Sequence, residues 1–203
     1  MYELAHYFSL QGRRVLVLTS THIMQPEHFF AADEKSAQRL WQQGNYTVIG
    51  TPEKATGKLT MPKRRLYTAL RAQADIILCE ADGAKHLPCK APAAHEPAIL
   101  PECDTVIAVC GMDALGKPLQ SACFRSQLAS EILNIPAEAI LTEESIVCLL
   151  TDERALRKNV ENRSYYIVLN KCDTINTAQA ENIRTLLIQK GVAEKNIWLR
   201  GKG

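Results

Sequence analysis

Short apolar runs alternate along the chain with longer segments in which apolar residues recur every three or four positions. The short runs each predict a buried strand, and they read RVLVLTS, YTVIG, DIILCE, DTVIAVCG, YYIVLN and NIWLR. The longer segments predict helices near the N-terminus and over residues 26–44, 62–73, 125–150 and 177–191. Between them, residues 51–61 predict a loop or hairpin, and a Pro- and Ala-rich stretch at 81–102 predicts a long loop.

Strands that alternate with helices indicate an α/β fold with a mostly parallel sheet flanked by helices. The length of 203 residues suits one compact domain, so we expect residues 1–203 to form a single nucleotide-binding-like α/β domain. Ligands of such sheets bind beyond the carboxyl ends of the strands. The polar residues of interest are therefore those that follow the predicted strands, at 19–22, 80–85, 111–113 and 170–173.

Net charge, the length of the apolar runs and the cysteine pattern argue against several classes of protein. A net charge of +2 gives no support to nucleic acid as a partner. No apolar run approaches the roughly 18 residues of a membrane span, and the first residues show no signal-peptide pattern. The seven cysteines form no C-x-x-C pair, and several lie inside apolar runs. We therefore predict reduced thiols in a cytoplasmic protein that binds neither nucleic acid nor membrane.

The turn Asn170-Lys171-Cys172-Asp173 directly follows the apolar strand YYIVLN. A carboxylate at Asp173 could accept hydrogen bonds from N1–H and the exocyclic amine of guanine, a pair of donors that adenine does not offer. Asn170 could brace the loop, and the aliphatic stem of Lys171 could lie along the base. This pattern favours a guanine-reading turn. The alternative is a polar turn that caps the helix beginning near Asn176.

Acidic residues follow the strand DIILCE. Glu80 and Asp82 occupy the position where P-loop NTPases place a carboxylate that holds Mg²⁺, usually through water. Gly83 would let the backbone approach a γ-phosphate, and Lys85 could offset phosphate charge. An ordinary strand-to-loop turn is the alternative, since a lone acidic residue after a strand is common.

A phosphate-binding loop is not found in its expected form. Gly50 and Gly57-Lys58 are separated by six residues rather than four, and Leu59 replaces the required Ser or Thr, so a surface hairpin is the better interpretation. The first predicted helix also has no strand ahead of it, although a βαβ unit would need one. We therefore expect a P-loop NTPase-like fold whose first strand and phosphate loop are missing, with the chain starting just after that loop.

Four stretches carry a resemblance to a known family: GRRVLVLTSTHI, ADIILCEADGAKHLPCKAPAAHEP, VIAVCGMDALGKPL and VLNKCD. In this order they are similar to the selenium-dependent molybdenum hydroxylase accessory proteins (YqeC-like). Members of that family usually open with a strand and a loop like G-A-G-G-K-T-[ST], and this chain departs from them by lacking both.

The resemblance implies roles for individual residues. Asn170, Lys171 and Asp173 would read the base, Glu80 and Asp82 would hold Mg²⁺ or face the γ-phosphate, and the polar strand end Thr19-Ser20-Thr21 would face the phosphates. The implied cofactor is GTP or ATP with Mg²⁺, and the implied partner is a molybdenum-containing hydroxylase or its maturation machinery. The segment containing Lys90, His95 and Glu96 also matches the family, without an implied role.

Two functions remain open from the sequence. The chain would be a GTP-preferring NTP hydrolase if a phosphate-binding loop precedes it. Alternatively, it would be a non-catalytic module that binds a partner or a cofactor on a degenerate or truncated NTPase fold. A dinucleotide-dependent oxidoreductase is disfavoured, because no G-x-G-x-x-G follows any predicted strand.

Overall fold

The computed structural model describes residues 1–172 and 177–201. The chain divides into two compact units, residues 1–83 and 84–203, and each is described by itself. Both units contain a parallel sheet flanked by helices, so the predicted α/β class is confirmed. The P-loop NTPase-like identity and the single domain over 1–203 stay predictions.

The first unit holds a parallel sheet and a small antiparallel sheet. Its elements are α1 (Tyr2–Leu10), β1 (Val15–Thr19), β2 (Ile23–Met24), α2 (Glu34–Gln42), β3 (Thr47–Val48), β4 (Thr51–Glu53), β5 (Lys58–Thr60), α3 (Arg64–Arg71) and β6 (Ile76–Glu80). The parallel sheet has the order β3-β1-β6, and the antiparallel sheet has the order β2-β5-β4. All five residues of β1 are buried, which explains its uninterrupted apolar sequence. Helix α1 packs on β1 through the buried side chain of Ala5.

The second unit holds a parallel sheet and a two-stranded ladder. Its elements are β7 (Cys89–Lys90), β8 (Thr105–Gly111), α4 (Leu119–Ala122), β9 (Cys123–Phe124), α5 (Ser126–Leu133), α6 (Glu143–Thr151), β10 (Ser164–Asn170), α7 (Thr177–Gln189) and β11 (Ile197–Arg200). The parallel sheet has the order β11-β10-β8, and β7 pairs in parallel with β9. Alternate residues of β10, namely Tyr165, Ile167 and Leu169, enter the apolar core with α6 and α7.

Two predicted helices differ from the observed ones. The helix predicted over 26–44 begins at Glu34, because the Asp33 carboxylate accepts a hydrogen bond from the Ser36 amide at 2.8 Å and caps the helix there. The helix predicted over 125–150 is two helices, α5 and α6. Asn134 adopts a left-handed φ of 54° at the end of α5, and Pro136 follows within two residues.

The predicted strands do not all join one sheet. Where the sequence predicted one mostly parallel sheet, the described strands form two parallel sheets of three strands, one in each unit. Among the described strands, β6 pairs only with β1, and β8 pairs only with β10. The hairpin predicted over 51–61 is confirmed, because β4 and β5 pair antiparallel there.

No helix among the described residues is long and apolar enough to cross a membrane. None of the seven cysteines, all of which are described, forms a disulfide. Burial raises the pKa of the Cys110 thiol to about 12, which keeps this sulfur protonated in the core.

Candidate functional site

At the carboxyl end of the first unit's parallel sheet, the backbone carbonyl of Glu80 links the end of β6 to the residues that end and follow β1. The register pairs Thr19 with Glu80, and the Glu80 carbonyl accepts hydrogen bonds from the Ser20 amide at 3.1 Å and the Thr19 hydroxyl at 3.0 Å. The Thr21 amide donates to the Thr19 hydroxyl oxygen at 2.9 Å. The structure therefore gathers the predicted phosphate-facing residues Thr19, Ser20 and Thr21 beside the predicted acidic strand end.

The donor chemistry at this strand end suits Mg²⁺. Glu80 and Asp82 are half-buried, and a Cβ added to Gly83 would lie 3.4 Å from Oε1 of Glu80, so backbone approaches this carboxylate closely. Mg²⁺ is held in proteins by one or two carboxylates that are completed by water and substrate phosphates. The described residues contain no group of three or more metal-ligating side chains, so a cation here would take its other ligands from water and phosphate.

Tyr2 adds a polar group to the same unit. Its buried hydroxyl has no hydrogen-bond partner among the described residues. Burial raises the pKa of Tyr2, and the negative charge of Glu80 adds to the effect, as does Tyr46. The Tyr2 phenol is therefore a neutral donor that lies within electrostatic range of the Glu80 carboxylate.

The carboxyl end of the second unit's parallel sheet contains the predicted base-reading turn. The register pairs Asn170, the last residue of β10, with Gly111, the last residue of β8. Lys171 follows with a left-handed φ of 62°, a conformation that residues other than Gly and Asn rarely adopt. Its ammonium group contacts Oδ2 of Asp113 at 2.9 Å, and Lys117 approaches the same oxygen at 3.8 Å. The predicted Asp173 lies outside the described residues.

Close packing fixes the position of Asp113 beside this turn. The Gly111 amide donates to the Pro88 carbonyl at 2.7 Å. A Cβ at Gly111 would lie 2.5 Å from Oδ1 of Asp113 and 2.9 Å from Cβ of Pro88, so only glycine fits. That Oδ1 is buried and has no partner among the described residues. Asp113 thus contacts Lys171 through Oδ2, while its Oδ1 accepts no hydrogen bond from the described residues.

A buried ion network occupies the loop after β6, within the second unit. Lys90 and Glu96 are 3% and 8% exposed, and their charged groups meet at 2.8 Å. Arg125 donates to both oxygens of Glu96, and the Ala93 amide donates to one of them at 3.1 Å. Burial is the largest single effect on the pKa of Glu96, and it raises that pKa because it opposes ionisation. Hydrogen bonds from Arg125, Lys90 and the Ala93 amide outweigh it together and lower the pKa of Glu96 to about 2.

Three cations surround the aromatic ring of Phe124, which is half-buried. The Lys85 ammonium lies 4.9 Å from the ring centroid, the Lys90 ammonium lies 5.3 Å from it, and the Arg125 guanidinium carbon lies 4.5 Å from it. Lys85 was predicted to offset phosphate charge beside Glu80 and Asp82, and that role stays a prediction. In the structure it belongs to the second unit and contacts Phe124.

Comparison with known proteins places the chain in a family. A family model described as YqeC protein matches residues 1–127, more than half of the chain. The chain belongs to the YqeC family. The resemblance seen in the sequence is therefore confirmed at the level of the family. The matched range includes the Glu80 strand end and the ring of cations at Phe124, whereas Asn170 and Lys171 lie beyond it.

One curated relative in the YqeC family extends the match. The Uncharacterized protein YqeC of Escherichia coli (strain K12) is 29% identical over 177 residues, which cover 79% of this chain. The match spans 66% of that relative's length. No solved structure matches the chain significantly.

Sequence reasoning found some members of these sites and missed others. It marked the residues after β6, β8 and β10, because parallel strands direct their carboxyl ends to one edge of a sheet. It did not find Phe124 and Arg125. Their contacts with Lys85, Lys90 and Glu96 join residues that are 29 to 39 positions apart. The two-residue strands β7 and β9 that align them have no periodic signal.

Proposed function

We propose that this YqeC family protein binds a guanine nucleotide through the turn that follows β10. The observation that carries the proposal is the position of Asn170 and Lys171 at the carboxyl end of a parallel strand, with the Lys171 ammonium held by Asp113 at 2.9 Å. A lysine held at its tip has fewer accessible rotamers, so its aliphatic stem is available as a fixed wall for a flat base. Asp173 would then accept the two guanine donors.

In the first unit, the strand ends predicted above would hold phosphate and Mg²⁺. Glu80 and Asp82 would take the Mg²⁺ through water, and Thr19, Ser20 and Thr21 would supply hydroxyl and amide donors to phosphate oxygens. Lys85 would offset phosphate charge. If hydrolysis follows, Glu80 and Asp82 would hold the Mg²⁺, and the ion would supply positive charge to the γ-phosphate oxygens.

The biological role that we propose rests on the family resemblance. In this role the protein is a cytoplasmic accessory factor that uses its nucleotide cycle while a molybdenum-containing, selenium-dependent hydroxylase matures. The curated relative carries a name that assigns it no activity, so the resemblance alone supports this part of the proposal.

Calorimetric titration with GTP, ATP and xanthosine triphosphate tests the base-reading turn. We expect Asp173→Asn to weaken GTP binding by about tenfold or more and to improve binding of xanthosine triphosphate, because the amide exchanges an acceptor for a donor. Asp104→Asn is the matched control, since Asp104 is exposed and precedes β8 at the opposite end of the same sheet. Equal GTP affinity in wild type and Asp173→Asn would refute the proposal.

A binding module without hydrolysis is the second candidate function. One observation favours it: Gly57 adopts φ 69° in the hairpin turn between β4 and β5, and Lys58 begins β5, so this Gly-Lys pair forms no phosphate loop. Phosphate release measured under saturating GTP and Mg²⁺ separates the two candidates. Release above the rate without protein, and lost in Glu80→Gln, supports the hydrolase, and binding without release supports the module.

A further inference from the structure

We propose that Lys85, Lys90, Phe124 and Arg125, here called the Phe124 cluster, form a binding site for a phosphoryl-type oxyanion. The ligand is either a free phosphate-like ion or a phosphoryl group on a larger molecule. The site lies wholly in the second unit and does not depend on the guanine-reading turn.

The fold brings these cations together through strand register. Pairing of β7 with β9 sets Lys90 directly opposite Phe124, and the Ala91 amide donates to the Phe124 carbonyl at 3.1 Å. Lys85 and Arg125 reach the same ring from the residues that flank this ladder. The Lys158 ammonium braces the loop by donating to the carbonyls of Ala93 and Ala94, at 2.7 and 3.0 Å.

Lys85 differs from the other cations of the Phe124 cluster in its partners. Glu96 accepts from both Lys90 and Arg125. Lys85 contacts the Phe124 ring and makes no ion pair or hydrogen bond with any other described residue. An aromatic face attracts a cation but cannot cancel its charge. Lys85 therefore keeps its positive charge beside a half-buried ring, with no carboxylate of the described residues paired to it.

The unused donors suit an oxyanion better than a second carboxylate. Arg125 has five N–H donors and directs two of its nitrogens at Glu96, which leaves others available. Lys85 offers three N–H donors from an exposed position. A carboxylate already occupies the fork of Arg125, whereas a tetrahedral oxyanion presents several oxygens and can accept from Lys85 and Arg125 at once.

The backbone around the Phe124 cluster is also unusual. Lys85, His86 and Arg125 adopt left-handed φ values of 48°, 66° and 61°. Left-handed backbone strains such residues and persists where the surrounding structure determines it, which happens most often at binding and active sites. Two of these three residues point their cationic groups at the same ring.

Titration of the full chain with inorganic phosphate at low ionic strength tests the site. We expect Lys85→Gln to weaken phosphate binding about three- to tenfold and Lys85→Glu to abolish it, because Lys85 is exposed and replaceable without disturbing the core. Lys195→Gln, at another exposed lysine of the second unit, should bind phosphate like wild type. Equal phosphate affinity in wild type and Lys85→Gln, or equal binding of acetate and phosphate, would overturn the proposal.

Guanosine and guanosine diphosphate identify the source of the phosphoryl group. If Lys85→Gln weakens binding of the diphosphate and leaves guanosine unchanged, the ligand is the phosphoryl part of a nucleotide. If the variant weakens phosphate alone, the ligand is a free oxyanion. If Asp173→Asn loses its preference for guanine and still binds phosphate like wild type, the result supports the Phe124 cluster as a separate site. If Asp173→Asn no longer binds phosphate, the proposal is refuted.

Discussion

Replacing Glu96 by glutamine removes the charge that holds Lys90 and Arg125 together and keeps the shape of the side chain. Lys90 is 3% exposed, so the variant removes a negative charge that lies 2.8 Å from a buried ammonium group. Breaking a buried pair in this way costs about 3–5 kcal/mol. The pKa of Glu96 is lowered from its usual 4.5 to about 2, which agrees in direction, since the folded state favours the charged carboxylate. We therefore expect Glu96→Gln to lower the free energy of unfolding of the second unit by about 3 kcal/mol.

Urea unfolding at pH 7 measures this loss. The two tryptophans, Trp41 and Trp198, lie one in each unit, so Trp198 fluorescence in a Trp41→Phe background reports on the second unit alone. Glu138→Gln is the matched control, because Glu138 is exposed and makes no ion pair among the described residues. A loss below about 0.5 kcal/mol in Glu96→Gln would show that the network contributes no stability, against the burial argument.

The pH dependence checks the sign of the effect. The pKa of Glu96 is lower in the folded state than in the unfolded state, so its stabilisation is fully present above about pH 4.5. It is lost as the pH falls toward 2. The difference in stability between wild type and Glu96→Gln should shrink across that window, and a constant difference would contradict the assignment to this carboxyl group.

Two further predictions concern other contacts. Gly111→Ala should destabilise the second unit by about 1–3 kcal/mol, since its Cβ would lie 2.5 Å from Oδ1 of Asp113. Gly83→Ala meets its nearest atom at 3.4 Å and should cost less, so equal losses of stability in the two variants would refute the steric argument. The Asp75 carboxyl group should titrate by NMR with a pKa of about 2, because Arg14 donates to it from side chain and backbone. Arg14→Gln should raise that pKa, and an unchanged pKa would exclude Arg14 as its cause.

The sequence predicted the long strands well because each one contains a continuous apolar run, although only β1 is buried along its whole length. The runs that contain β1, β6, β8 and β10 stand out as uninterrupted hydrophobic segments, and tertiary packing reinforces the same preference. The turn at Asn170 and the loop at Asp113 were both marked from sequence, since they follow strands. That Lys171 reaches Asp113 could not be predicted, because the contact depends on the β8–β10 register and on a left-handed backbone at Lys171.

Long-range pairing explains the rest of what the sequence did not show. β7 and β9 are two residues each; β7 lies in the segment predicted as a long loop, and β9 ends just before the region predicted as helical, 125–150. Their pairing sets the partners of Lys90 and Phe124, and no local pattern encodes it. Helix α2 begins where the side chain of Asp33 caps it. The predicted start at residue 26 was too early, because Phe29 and Phe30 continue the apolar pattern of the helix ahead of that cap.

The outer position of β8 in its sheet has a consequence for self-association. Its seven residues, TVIAVCG, include no charge and no proline, and Ile107 and Val109 are 38% and 53% exposed. Natural edge strands usually carry a lysine, a proline or a bulge that discourages a stray strand from adding to them. Here the charges flank the strand, at Asp104 and Asp113, instead of interrupting it. Among the described strands, β8 has β10 as its one neighbour, so the second unit's sheet ends on an apolar strand of the kind to which a β-strand from another polypeptide adds.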